Sequence, residues 1–339
     1  MDLKDKRILV IGGAGLIGSH TVDELVKEPV KEIRIFDNFS RGREENIAEA
    51  LKDPRVNIFP HGGELLHPEV LNAAMEDIDG VYCFAALWLL HCWDYPRSAL
   101  DVNVTGLFNI LEAITTNRTN VQRLVWSSSA SVYGDAIEEP MTEDHPYNNT
   151  NFYGATKVAG EQICRSFYHR HKGSDKEFDY VGLRYMNVYG SRQDYKGAYI
   201  AVIMKILDNL DKGIPPTVYG DGSQAYDFVN VVDCGRANVC AMKAETTDSF
   251  YNVGTGKRTS IKELAELILE ITGSDLEIQY EPAGQTFVKN RIGCPKKASE
   301  EIDYTYQKEL REGLEDLIAW RNSHKDEVER RKRDAGIES

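Results

Sequence analysis

Tyr153-Gly154-Ala155-Thr156-Lys157 sets a phenol and an ammonium four residues apart, on one face of a helix. A cation at that distance favours the phenolate and draws the tyrosine towards the pKa of a general base. The same ammonium could hold a ribose hydroxyl. A Tyr-x-x-x-Lys pair alone is commonly an exposed helix face. Here Ser129 ends an apolar strand 24 residues earlier, and a hydroxyl there can bond both the phenol and a substrate alcohol. Ser129, Tyr153 and Lys157 together would form a proton relay for oxidising an alcohol, given a hydride acceptor beside them.

A place for that acceptor is written near the start of the chain. Arg7-Ile8-Leu9-Val10-Ile11 has the pattern of a strand buried on both faces. Gly12-Gly13-Ala14-Gly15-Leu16-Ile17-Gly18 follows, then a helical stretch ending near Pro29, then a second strand, Glu32–Phe36, closing on Asp37. The glycines fit both Gly13-x-Gly15-x-x-Gly18 and Gly12-x-x-Gly15-x-x-Gly18. Such a turn lets backbone N–H groups approach a pyrophosphate at the positive N-terminus of a helix. Asp37, 19 residues after Gly18, is placed to accept hydrogen bonds from the adenosine ribose hydroxyls. Its charge would repel a 2′-phosphate, so the dinucleotide is NAD; Arg41 and Arg43 are the nearby features that would suit NADP.

The elements that must position these groups alternate. Val56–Phe59, Gly80–Phe84, Gln122–Trp126 and Tyr180–Arg184 read as strands. Pro68–Met75, Ala99–Thr115 and Asn151–Tyr168 read as helices. This pattern predicts an α/β fold, a doubly wound parallel sheet of Rossmann type with a smaller C-terminal α/β substrate domain. Ligands of such sheets bind beyond the carboxyl ends of the strands, where the glycine turn, Asp37, Ala85-Ala86 and Ser127-Ser128-Ser129 all fall. The expected division is a NAD-binding domain over residues 1–185, rejoined by a segment near 226–245, and a substrate domain over 186–320. In the latter Ser260 and Glu263 have capping-box spacing. Residues 321–339 are strongly charged and are expected to be a solvated helix end and frayed tail.

Composition narrows the class. The chain has 339 residues, 42% of them apolar, and a formal net charge of −14. It can bury a full core, and its charge argues against nucleic acid or an anionic membrane as partner. The charged start Met1–Arg7 is unlike a signal peptide, and no apolar run approaches membrane-spanning length. Six cysteines without a Cys-x-x-Cys pair suit reduced thiols in a cytoplasmic protein. The eight histidines, His169-x-His171 and His91 among them, gather too few other ligands to suggest a metal site.

With these residues in place the chain resembles the extended short-chain dehydrogenase/reductases. The resemblance rests on the glycine turn, Asp37, Phe84-Ala85-Ala86, Ser127–Gly134, Tyr153/Lys157 and Leu183-Arg184-Tyr185-Met186-Asn187-Val188-Tyr189-Gly190. Within them it is similar to the NAD-dependent sugar-nucleotide epimerases and dehydratases, closest to the UDP-glucose 4-epimerase type, over roughly residues 7 to 320. The resemblance implies that Tyr153, assisted by Ser129, removes the proton of the sugar 4-hydroxyl. Lys157 would bind the nicotinamide ribose. A 4-keto sugar would form, turn over in the site and be reduced on its other face, so NAD is regenerated and stays bound. Gly12, Gly15, Leu16, Ile17, Gly18, Asp37, Asn38, Ala85, Ala86 and Ser127 would line the cofactor, and Glu64 and Leu65 would flank the adenine. Asn103 would lie behind the catalytic residues on the cofactor side. Ser131, Trp88, Tyr226, Asn187 and Arg291 would face the nucleotide-diphosphate sugar, UDP being the favoured nucleotide. The resemblance also implies a homodimer formed by the helices carrying Asn103 and Tyr153.

The residues after Ser129 separate the reaction classes. Members that eliminate water carry an Asp-Glu pair there, and decarboxylating members typically carry Glu at the position of Ser131. Ala130 and Ser131 supply no carboxylate, which favours simple epimerisation. Alternatives are a 4-dehydrogenase that releases its keto sugar, and an NAD-binding scaffold without catalysis. Tyr226 stands where an arginine often binds the pyrophosphate, Glu64 and Cys294 where Asp is usual, Cys83 where His is common, and Trp88 where some epimerases have Lys. Arg192 and Lys196 are the expected substitutes for the missing cation.

Overall fold

Seven parallel strands form the main sheet of the computed structural model, which describes residues 1–116, 119–195, 201–283 and 288–336. Six come from residues 7–185: β1 (Arg7–Ile11), β2 (Glu32–Phe36), β3 (Val56–Ile58), β4 (Gly80–Cys83), β5 (Arg123–Ser129) and β6 (Asp179–Tyr185). The strand Ser249–Val253 completes the order Ser249–Val253, β6, β5, β4, β1, β2, β3. Chain order reverses between β1 and β4, and this switch point opens a crevice at the strands' carboxyl ends.

The apolar runs explain the layering. Along β1, Ile8 and Val10 join a core with Ile33, Ile35, Val125 and Val181, beneath α1 (Leu16–Val26) and the helix Val231–Lys243. Leu9 and Ile11 point the other way and join Val81, Leu124 and Trp126 under the helices Gly106–Ile114 and Phe152–His171. The expected single helix over 99–115 is instead broken. Pro96–Ala99 runs into a wide π-type turn, Leu100–Thr105, before Gly106–Ile114. Asn103 sits in the widened turn, a distortion common where a side chain has a local task.

From Asn187 the chain builds a second lobe of short strand pairs and the helices Ala201–Asp211, Ile261–Thr272 and Leu310–Ser323 around a third core. The Ser260–Glu263 capping box forms, with Ser260 Oγ accepting from Glu263 N at 3.1 Å and Glu263 accepting from Ser260 N at 2.7 Å. The return to the main sheet begins at Val231 and ends with the seventh strand. Asn238 there donates to Thr21 on α1 at 3.0 Å, and buried Arg123 donates to Ala241 O at 2.9 Å. Tyr226 itself belongs to a small second-lobe sheet, between Thr259–Ser260 and Asn290–Arg291.

The C-terminal segment departs from expectation. The described part is no frayed tail: helices Leu310–Ser323 and Lys325–Asp334 pack on the molecule, with Arg321, Arg331 and Lys332 buried. Arg321 and Lys332 pair with carboxylates distant in sequence, Asp208 and Asp211 of the helix Ala201–Asp211, while Arg331 pairs with Glu327 on its own helix. A segment read from its charge as wholly solvated therefore keeps an exposed face and buries three of its cations against the molecule.

Candidate active site

The long helix opens with its catalytic face already aimed. Asn151 caps it, accepting from Gly154 N at 2.8 Å. A side chain at Gly154 would lie 2.5 Å from the carbonyl oxygen of Ser131, so the first turn rests directly on the Ser129–Ser131 bend. One turn further on, Lys157 is 3% exposed and donates to Ser127 O at 2.6 Å, its ammonium 5.6 Å from the Tyr153 ring centre. Ser129 Oγ, at the end of β5, accepts from Ser131 N at 3.1 Å. Ser127, Ser129, Ser131, Tyr153 and Lys157 all line one cleft of about 460 Å³.

The other wall of that cleft is the glycine turn. Gly12 has φ +77°, and a Cβ there would meet Ala85 N at 2.8 Å; one on Gly18 would lie 2.1 Å from Gly12 O. Glycine lets β1, the turn and the loop after β4 close on one another. Gly15 caps α1 without a side chain, leaving the N-terminal N–H groups of the helix to an anion. Gly12, Gly15, Leu16, Ile17 and Gly18 line the cleft, as do Ala85 and Ala86. Asp37 accepts from Ala14 N at 2.9 Å and Phe39 N at 2.8 Å and keeps further lone pairs for hydroxyls. Burial raises its pKa, the two backbone N–H groups opposing that shift. Asn38, Glu64 and Leu65 line the same end, with Asn38 donating to Glu64 at 3.3 Å. This donor and acceptor set fits a dinucleotide running from Asp37 across the turn to Tyr153 and Lys157.

That arrangement agrees with a family-model match to the NAD dependent epimerase/dehydratase family over residues 8–254. The chain belongs to this family. A putative UDP-glucose 4-epimerase of Methanocaldococcus jannaschii is 35% identical to it, the match covering 92% of this chain and 97% of the relative. A UDP-N-acetylglucosamine 4-epimerase from Methanobrevibacter ruminantium, solved with UDP-N-acetylmuramic acid, superposes with a TM-score of 0.85 at 30% identity. That match covers 95% of this chain and 99% of the other. A dTDP-glucose 4,6-dehydratase from Streptomyces venezuelae, solved with NAD, gives 0.86 at 25% identity over 96% of this chain and all of the other. The cofactor of this family member is NAD.

Trp88, Asn187 and Arg291 also line the cleft. Asn187 Nδ2 is buried without a hydrogen-bond partner among the described residues, an amide donor left over on a cleft-lining residue. Three expected contacts lie elsewhere. Asn103 accepts from Leu87 N at 2.7 Å and donates to Thr156 at 3.1 Å, so it braces the loop after β4 against the long helix and does not line the cleft. Arg192, with φ +65°, turns to α1 and pairs with Asp23 at 2.7 Å. Tyr226 is buried and donates to Val288 O at 2.8 Å. Arg192 and Tyr226 are therefore not cleft-facing substrate contacts, and Lys196 lies outside the described residues.

Two features escaped the sequence reading. Arg41, in the loop after β2, forms a two-bond pair with Asp194 of the second lobe and lies 4.8 Å over the Trp88 ring. The pair joins the lobes at the cleft, and its partners stand 153 residues apart in sequence. It also engages Arg41, and Arg43 pairs with Asp334, so both candidate cations for a 2′-phosphate are held by carboxylates. His20 on α1 is the second. Its Nδ1 meets Leu16 O at 2.9 Å and its Nε2 meets Ser191 Oγ at 3.1 Å. Burial, with the nearby Arg192 charge, lowers its pKa to about 3 and keeps the ring neutral. The described residues contain no cluster that could hold a metal ion.

Proposed function

We propose that the chain interconverts C4 epimers of a nucleotide-diphosphate sugar, UDP being the nucleotide, through a transient 4-keto sugar. The observation that carries this reading is the convergence of Ser129, Tyr153 and Lys157 on the cleft that holds the glycine turn and Asp37. NAD, when bound, supplies the oxidising chemistry, accepting a hydride from a sugar carbon and returning it. The residues of the chain move and place the proton. Tyr153 takes the proton of the 4-hydroxyl, and Ser129 Oγ, oriented by the Ser131 N–H, donates a second hydrogen bond to the same oxygen. Lys157 is buried and held by Ser127 O, a fixed cation beside the phenol and a donor for the ribose. After the ring turns over, Tyr153 returns the proton to the 4-oxygen.

Asn187 and Arg291 would take the diphosphate oxygens, the amide through its buried N–H and the guanidinium through charge. At the bend itself, Ala130 and Ser131 leave neither an acid nor a base for eliminating water from the sugar. Epimerisation therefore fits this site better than dehydration or decarboxylation.

The working unit is a homodimer in the cytoplasm. Leu100, Phe108 and Phe152, on the helical segments that carry Asn103 and Tyr153, are 41–53% exposed, as are Trp93 and Tyr95 just before them at 50% and 61%, apolar surface suited to a second copy. All six cysteines are free thiols, and no helix among the described residues is long and apolar enough to cross a membrane. NMR of the protein incubated with UDP-, GDP-, CDP- and dTDP-sugars tests the reaction. The expected result is an equilibrium mixture of two C4 epimers of a UDP-sugar without net NADH. Stoichiometric NADH with a released keto sugar would replace epimerisation by dehydrogenation.

A further inference from the structure

The helix Lys325–Asp334 reaches the cofactor turn through the loop after β2. Arg331, 2% exposed, donates through Nη2 to Asn46 Oδ1 at 2.6 Å and through Nη1 to Arg192 O at 2.8 Å. Asn46, itself 3% exposed, passes the contact on by donating to Ala14 O at 2.7 Å. Ala14 lies inside the glycine turn, and its N–H donates to Asp37 at 2.9 Å. Four side chains and backbone groups thus run in one unbroken line from the C-terminal helix to the ribose carboxylate. Arg330 with Glu45 at 2.7 Å and Arg43 with Asp334 hold the same loop to the same helix.

The other side of this helix is fixed to the second lobe. Lys332 pairs with Asp208 at 3.0 Å, and Asp208 also takes Arg321 at 2.7 Å. A buried guanidinium is costly to desolvate, so its N–H groups must be well placed to be tolerated. Here Glu327 on the same helix takes the charge, and the remaining N–H groups join a cofactor-lobe side chain to a second-lobe carbonyl.

We propose that Arg331 is a positioning residue of the NAD site, holding the glycine turn and Asp37 from behind through Asn46. The C-terminal helix is then a strap that sets how tightly the dinucleotide is retained. The proposal rests on the reading of the cleft as an NAD site.

The test is the NAD dissociation constant by calorimetry on full-length protein stripped of cofactor, for wild type, Arg331→Met, Asn46→Ala and Lys332→Met. Arg331→Met and Asn46→Ala are each expected to weaken NAD about tenfold, the scale of one lost charge-assisted hydrogen bond. Turnover of Arg331→Met at saturating NAD should stay within about twofold, because the positioned group is ground-state binding machinery. Lys332→Met, which removes a buried cation of the same helix that faces Asp208, should lower thermal stability and leave NAD affinity unchanged. NAD binding as tight as wild type in both Arg331→Met and Asn46→Ala would overturn the proposal. So would an equal loss in Lys332→Met, which marks general loosening. Should Arg331→Met not fold, Asn46→Ala decides by itself. A wild-type protein that binds no NAD would instead overturn the cofactor site.

Discussion

Glu161, two turns along the helix from Tyr153, has its carboxylate fully engaged behind the catalytic serines. It accepts from Ser128 Oγ and Tyr147 OH, each at 2.6 Å, and from Arg184 at 2.8 and 2.7 Å. Burial and the adjoining Glu161 charge push the Tyr147 phenol up to about 12. Removing the carboxylate would strand a buried guanidinium, so Glu161→Ala should lose roughly 3–5 kcal/mol of stability in urea unfolding. Tyr153→Phe is the complementary case. It deletes only the phenolic oxygen, and is expected to lower turnover by at least about a hundredfold while NAD content after gel filtration stays at the wild-type level. Near-normal epimerisation in that variant would remove Tyr153 from the proton path. The place of Ser129, Tyr153, Lys157, the glycine turn and Asp37 on one cleft was legible in sequence because each is set by neighbours a few residues away or by the end of its own strand. Arg192 and Tyr226 were not, because type and position leave open which way a side chain turns: Arg192 went to Asp23 and Tyr226 to Val288 O.

Among the elements, the loop after Tyr189 makes several contacts with its neighbours around the cleft. His20 reaches its Ser191, Asp23 its Arg192, Arg41 its Asp194 and Arg331 its backbone. The His20 contact makes a pH prediction with a definite sign. The ring binds a proton with a pKa near 6.5 when unfolded and only near about 3 when folded. Between these values the unfolded chain holds more protons, so stability is full above 6.5 and falls as pH drops towards 3. From pH 7 to 5 this residue alone should remove about 2 kcal/mol, and His20→Gln should show a correspondingly shallower loss in urea midpoints over that range. Identical slopes would mean that the ring is protonated in the fold or exposed. The same scale shows why the C-terminal helices were misread. Arg321, Arg331 and Lys332 look like part of a solvated run, and the partners that bury them, Asp208, Asn46 and Arg192 O, are over 100 residues away, beside the local Glu327 and Glu329. Alternation of strands and helices, a local signal, carried the main sheet correctly; its seventh strand arrives after the second lobe has begun.

For the whole molecule, two lobes meet at the carboxyl edge of a parallel sheet and leave one large cleft whose walls come from both. The exposed aromatic and aliphatic patch on the helices before and after β5 is expected to hold two copies together, giving a dimer in sedimentation. Phe108→Asp, placed in that patch at 41% exposure, should shift the protein to monomer without unfolding it. Epimerisation through a 4-keto sugar requires that the hydrogen leaving C4 comes back to the same carbon on its other face. The direct measurement is NMR of the holoenzyme with UDP-glucose and UDP-N-acetylglucosamine deuterated at C4. The expected result is conversion of one or both to the C4 epimer with the deuterium still on C4. Deuterium appearing in the solvent, or a C4 epimer formed without deuterium on C4, would contradict it.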